Sequence, residues 1–119
     1  MIQKSSIVVP TDKCGIFTGN AFHIYKGFKK NNGFLGDFVK ISIRSVSPDL
    51  IDLKGQKTNC ILVRSKKHTQ NIDGSNFICK NNSVVCLKKR LTPRGKEIVG
   101  PASYKVKRKK FLSSFSGIF

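Results

Sequence analysis

The stretch "GDFVKISIR", residues 36–44, decides the fold. Gly36-Asp37 leads into a strand, in which Val39, Ile41 and Ile43 alternate with Lys40, Ser42 and Arg44. A period of two lays three aliphatics on one face of a strand and the polar set on the other. All three aliphatics are β-branched, which suits a pleated, half-buried surface. The stretch is a strand with an apolar side toward a core and a cationic side toward solvent.

Working outward, residues 16–25 read as a second strand region, bulged near Gly19-Asn20. Ile7-Val8-Val9 is a short strand stopped by Pro10, and Asp12 to Gly15 is a turn. Downstream, Ser47-Pro48-Asp49 ends the deciding strand and Lys54-Gly55 makes another turn. Residues 60–63 form an apolar strand that runs into Arg64-Ser65-Lys66-Lys67. Asp73-Gly74 and Asn81-Asn82 punctuate two more strands, at 76–80 and 83–87. Short strands separated by turn signals predict a mainly β fold. A small antiparallel barrel satisfies the edges that an open sheet of this size leaves unpaired. Beyond residue 100 the pattern changes. Phe111, Leu112, Phe115 and Phe119 recur at helical steps, and Pro101 suits a helix start. The 119 residues therefore form one domain: 1–100 a barrel with its loops, and 101–119 a short helical tail.

Charge points to the partner. Lys and Arg number 23 against 6 acids, a net charge of +17. Such self-repulsion implies a polyanion, and nucleic acid is the first candidate. No apolar run has the roughly 20 residues of a membrane helix, and no basic amphipathic helix or lipid motif stands out, so a membrane is not expected. The cations sit at strand ends, in loops and in the tail. Lys29, Lys30, Lys40, Arg44, Arg64, Lys66, Lys67, Lys88, Arg94, Lys96, Lys107 and Arg108 are the candidate RNA contacts. Lysines outnumber arginines 18 to 5, which favours point-charge contact with phosphates over bidentate reading of bases. Phe28 and Phe34 are possible base-stacking rings, although phenylalanines are more often core.

Other chemistry finds little support. The six acids mostly neighbour Gly or Pro, where turns explain them. His23 and His68 lack an evident nucleophile beside them, and there is no phosphate-cradling glycine loop. An enzyme is not expected, nor is a cofactor. Cys14, Cys60, Cys79 and Cys86 have no C-x-x-C spacing, which argues against zinc and for reduced thiols.

Several motifs together resemble the L-fourteen family of large-subunit ribosomal proteins. They are Met1-Ile2-Gln3, Asp12-x-x-Gly15, the Gly36-Asp37 strand and Lys54-Gly55. Val63-Arg64-Ser65-Lys66-Lys67 stands where the family has Val-Arg-Thr-Lys-Lys. Asp73-Gly74-Ser75, Asn82-Ser83-Val84, Gly95-x-x-Ile98-x-Gly100-Pro101 and Lys110-Phe111 complete the set, in order along the chain. The resemblance implies a five-stranded barrel with a protruding β-ribbon and short C-terminal helices. It implies a structural constituent that binds large-subunit rRNA at the subunit interface. The neighbours implied are large-subunit proteins three and nineteen, with small-subunit rRNA at a bridge. Glu97 and Ser113 depart from the pattern where bacterial-type members bind a ribosomal silencing factor, which makes that partner doubtful or points to a co-adapted one. The competing reading is a free-standing basic barrel that binds RNA transiently as a translation or assembly factor.

Alanine is rare while Lys, Asn, Ile and Phe abound, the bias of an AT-rich genome. With no presequence evident, the expectation is a mitochondrial ribosome in the matrix and an organelle-borne gene. A plastid or a bacterial cytoplasm is the runner-up.

If phosphates are the ligand, binding to an rRNA fragment is strongly salt-dependent. Each neutralised phosphate contributes about 0.7–0.9 to the slope of log K against log salt. Titration at three salt concentrations measures this, and a flat response refutes the electrostatic reading.

Overall fold

The computed structural model describes residues 2–12, 14–25, 32–67, 69–70, 74–88, 94–95, 98–102 and 117–118. Its strands are β1 (Ile2–Gln3), β2 (Ile7–Pro10), β3 (Ile16–Ile24), β4 (Asn32–Gly33), β5 (Phe38–Val46) and β6 (Lys57–Arg64). They continue with β7 (Thr69–Gln70), β8 (Asn76–Phe77), β9 (Ser83–Leu87), β10 (Pro101–Ala102) and β11 (Gly117–Ile118). A 3-10 helix, Pro48–Leu53, is the only helical element among the described residues.

Five strands close a barrel in the order β2-β3-β5-β6-β9. The deciding strand is β5, and it behaves as its alternation predicts: Val39, Ile41 and Ile43 are at most 1% exposed. An all-antiparallel barrel is impossible here, because an odd number of strands cannot alternate direction around a closed ring. One seam must be parallel, and it is β2–β9, with Val9 opposite Ser83 and Pro10 opposite Val84. Pro10 is the last residue of β2, paired within the seam rather than lying beyond it. Val9 N–H donates to Asn82 O at 3.1 Å and Thr11 N–H to Val84 O at 2.9 Å. The residue between them has no donor to offer this seam, so proline is tolerated. Gly19 lies under the Ile41 side chain of β5. A Cβ there would stand 2.6 Å from Ile41 Cδ1.

The fold has two apolar layers. Inside the barrel, Val8, Ala21, Ile41, Cys60, Leu62, Val84 and Cys86 pack together. On the outside of β6 and β9, Ile61, Val63, Val85 and Leu87 pack against Ile98 and Ala102. β9 and the C-terminal half of β6 are buried on both faces, which explains their continuous apolar runs. Burying each such aliphatic contributes about 1.5–3 kcal/mol.

Between β6 and β9 the chain leaves the barrel as a ribbon, with Thr69 opposite Phe77 and Gln70 opposite Asn76. The strand expected over 76–80 is shorter, because Cys79 N–H turns back to Ser65 O at 3.2 Å. Pro101 does not open a helix. It begins β10, which runs parallel to β11. Gly100 takes φ +91° just before it, and Ala102 is drawn fully into the outer layer. The helical expectation for 103–116 lies outside the described residues, as does Asp73 of the expected ribbon turn.

All four cysteines are free. Cys60 and Cys86 are cross-strand partners with their sulfurs 3.5 Å apart, both fully buried. Unfolding in guanidinium without reductant should expose four reactive thiols. A count of two would mean that this facing pair, or another, is oxidised.

Candidate nucleic-acid interface

Strand register sorts the cations into groups. Lys40 and Arg44 occupy outward positions of β5. Ser42 is opposite Lys57, and Asn59 is opposite Leu87, so the start of β6 and the end of β9 lie at one end of the barrel. That end gathers Arg44, Lys57 and Lys88, all exposed. Sequence reading passed over Lys57. Its signal was the alternation Lys57-Thr58-Asn59-Cys60, which continues the inward-outward pattern of β6 toward its start. The opposite end carries Lys66 and Lys67, both exposed. Their backbone is pinned: Lys66 N–H donates to Asn82 Oδ1 at 3.0 Å, and Lys67 N–H to Ser65 Oγ at 3.3 Å. Ser65 itself is buried. Lys29, Lys30, Lys96, Lys107 and Arg108 lie outside the described residues.

Among the described arginines, Arg64 and Arg94 have inward-directed contacts. Arg64 is half-buried and donates through Nη2 to Val99 O. Its guanidinium lies across Gly100, so close that a Cβ there would stand 2.7 Å from Nη2 and 2.8 Å from Cζ. Burial lowers its pKa from the ordinary value, with the Cys79 thiol acting in the opposite sense. A guanidinium stays charged regardless. Arg94 is also half-buried: its backbone N–H donates to Cys86 O at 2.9 Å and its Nε to Leu87 O at 3.3 Å. Both arginines fasten the segment after β9 onto the barrel.

Asp12 is buried rather than a surface turn residue. Its carboxylate accepts from Cys86 N–H at 3.4 Å and from Gly95 N–H at 3.0 Å. The Cys14 thiol donates to it at 3.6 Å. The ligand atoms of Asp12, Cys14 and Cys86 lie within 4.8 Å of one another, a grouping that could hold a metal ion. The Cys14 thiol is pushed up by its hydrogen bond with Cys86 and by burial. Cys86 is lowered by that bond but raised more by the bond with Cys60 and by burial. Both thiols therefore hold their protons in the metal-free protein, and a metal would have to displace them. Both carboxylate oxygens already bind the backbone.

Residues 1–117 match the family of ribosomal protein L14p/L23e. The chain is 43% identical over 117 residues to the large ribosomal subunit protein uL14m of Tetrahymena pyriformis, covering 98% of each chain. The chain belongs to the L14p/L23e family. It is a divergent mitochondrial member, and the family is one of structural ribosomal proteins of the large subunit. The five-stranded closed barrel fits the L14 fold.

Within this L14 barrel, the Arg64–Gly100 contact is testable by a double-mutant cycle. Gly55 and Gly100 both have positive φ, 85° and 91°, but only Gly100 has close neighbours. Gly55→Ala should cost about 1 kcal/mol from backbone strain alone. Gly100→Ala should cost more, and the excess should vanish in an Arg64→Ala background. Urea unfolding measures each term. An excess that persists without Arg64 would refute the contact.

Proposed function

We propose that this L14-family protein binds large-subunit rRNA through cations held by its sheet, as a structural constituent of the mitochondrial large subunit. It lies at the subunit interface beside large-subunit proteins three and nineteen and contributes to a bridge with small-subunit rRNA. It works in the matrix, from a gene carried by the organelle.

The observation that carries the RNA reading is the pinned pair Lys66-Lys67. Two exposed ammonium groups extend from backbone fixed by Asn82 and Ser65 at the end of a strand buried on both faces. Such cations lose less conformational freedom on meeting phosphates than cations on an unsupported chain. Phosphate contact fixes register without reading sequence, which is what an architectural protein on a folded RNA requires. The net charge of +17 is neutralised by that partner. Arg64 is left out of this set because its guanidinium binds Val99 O.

Lys66→Gln with Lys67→Gln is compared with Lys109→Gln with Lys110→Gln. Each pair removes two charges, so net charge is controlled. The strand-end pair should reduce incorporation into large subunits more, measured by gradient sedimentation with circular dichroism as the folding control. Equal defects would show that only total charge counts. A larger defect from the second pair would put the main contact elsewhere.

A further inference from the structure

The outer face of β3, β5 and β6 is open where the outer apolar layer stops. Register aligns His23, Lys40 and Asn59 across the three strands, and Asn20, Ser42 and Lys57 in the next row. Between these rows β3 carries an irregularity, at Ala21 to His23. Ala21 and Ile24 point inward and are buried, so two residues occupy the outward step between them. Both Phe22 and His23 are exposed there. Bulges of this kind re-aim side chains.

The rings on this face are held in place yet uncovered. Tyr25 is 48% exposed, and its hydroxyl donates to Asn59 Oδ1 at 3.2 Å. Its ring meets His23 edge to face, with centroids 4.7 Å apart and planes at 85°. Phe22 is 39% exposed, with Lys57 Nζ 5.6 Å from its centroid. Two exposed aromatics oriented by neighbours, with Lys40 and Lys57 beside them, form an aromatic-cation surface. No acid occurs anywhere in β3, β5 or β6. A protein partner would have to bring acids to Lys40 and Lys57 together with ring or apolar contacts for Phe22 and Tyr25. A nucleic acid brings π-faces for the rings and phosphates for the lysines.

The geometry points to a stacking site for unpaired RNA bases on Phe22 and Tyr25, with Lys40 and Lys57 meeting the flanking phosphates. His23 and Asn59 are positioning residues that fix the Tyr25 ring before RNA arrives. The inference rests on the rRNA-binding reading and adds its substrate class: a single-stranded or looped-out segment, bound with little preference among bases. Stacking tolerates any base because every base has a π-face.

The chain has two tyrosines and no tryptophan. In a Tyr104→Phe background, Tyr25 is the only tyrosine left to emit. The full-length protein is titrated with a single-stranded RNA of about ten nucleotides and, separately, with a fully paired duplex. Stacking predicts that the single strand quenches Tyr25 emission and the duplex does not. Phe22→Leu, measured in the same background, and Tyr25→Leu should each weaken single-strand binding roughly tenfold, with duplex binding unchanged. The salt slope should stay constant in these variants, because both substitutions leave the charge as it was. Lys40→Gln with Lys57→Gln should instead flatten it by roughly 0.7 for each phosphate that is no longer neutralised.

Equal losses for single strand and duplex, or an unquenched Tyr25 with salt-dependent binding of both RNAs, would overturn the stacking site and leave the rRNA reading standing. If the protein with Phe22 and Tyr25 intact bound neither RNA at low salt, both readings would fall. If Tyr25 stayed unquenched while Phe22→Leu blocked incorporation into large subunits, the face would be a protein contact.

Discussion

The buried carboxylate of Asp12 joins the three parts of the chain that close the barrel. It follows β2 at the parallel seam, which has only two register pairs. From there it accepts backbone N–H groups of Cys86, on β9, and Gly95, on the segment beyond. A bridge to Ile98 and the bond from Val99 N–H to Thr11 O extend the same junction. Without these bonds the seam would rest on a few ladder bonds beside a proline. Burial raises the pKa of Asp12, although the backbone donors pull it down. A raised native value means that the charged form is the costlier one to hold. The advantage of the neutral form is full below about 3.8 and is lost as pH rises through the native value. At neutral pH the junction depends on those donors staying in place.

What Asp12 anchors is the cover over β6 and β9. The segment from Gly95 onward lays Ile98 and Ala102 on the outer apolar face, and Arg64 and Arg94 hold carbonyls along the way. Two of the chain's five arginines are therefore committed to intramolecular contacts. A planar guanidinium suits this work, since it can cover Gly100 while binding a carbonyl. The exposed barrel ends carry Lys57, Lys66, Lys67 and Lys88, with Arg44 among them.

Much of this was legible in the sequence, and what was not has physical reasons. β5 declared itself by alternation, and β9 emerged with the bounds its turn signals set. Family motifs supplied the number of barrel strands. The parallel seam could have been deduced from parity once that number was known. Arg64 was harder. An arginine at a strand end looks the same whether solvent or a carbonyl 35 residues away receives it, and only the tertiary path decides. Phe22 and His23 were hidden for a related reason. Strict alternation puts neighbours on opposite faces; the register does shift at Thr18/Gly19, where glycine suggested a bulge, but the shift that reverses the faces here is a further one, between Ala21 and His23. A bulge is set by how two strands twist around a filled interior, which a single strand's residues do not encode.

The barrel thus has two unlike outer sides, and the difference follows from where its cover ends. Over the C-terminal half of β6, Ile61 and Val63 are sealed by the returning chain. Over its N-terminal half, Lys57 and Asn59 face outward beside β3 and β5, and no such apolar pair calls for a cover. The sealed side makes β6 and β9 stiff, being packed on both faces. Stiffness there fixes the backbone from which Lys66 and Lys67 extend on one end and Lys57 and Lys88 on the other. A chain carrying +17 gains nothing from rigidity while alone, since fixed like charges cannot relax away from one another. It gains once phosphates sit among them, because the cations are already placed and little order remains to be imposed. The cost of holding those charges in the free protein and the benefit in the bound one share a single structural cause: a barrel closed at Asp12 and packed on both faces of its last two strands.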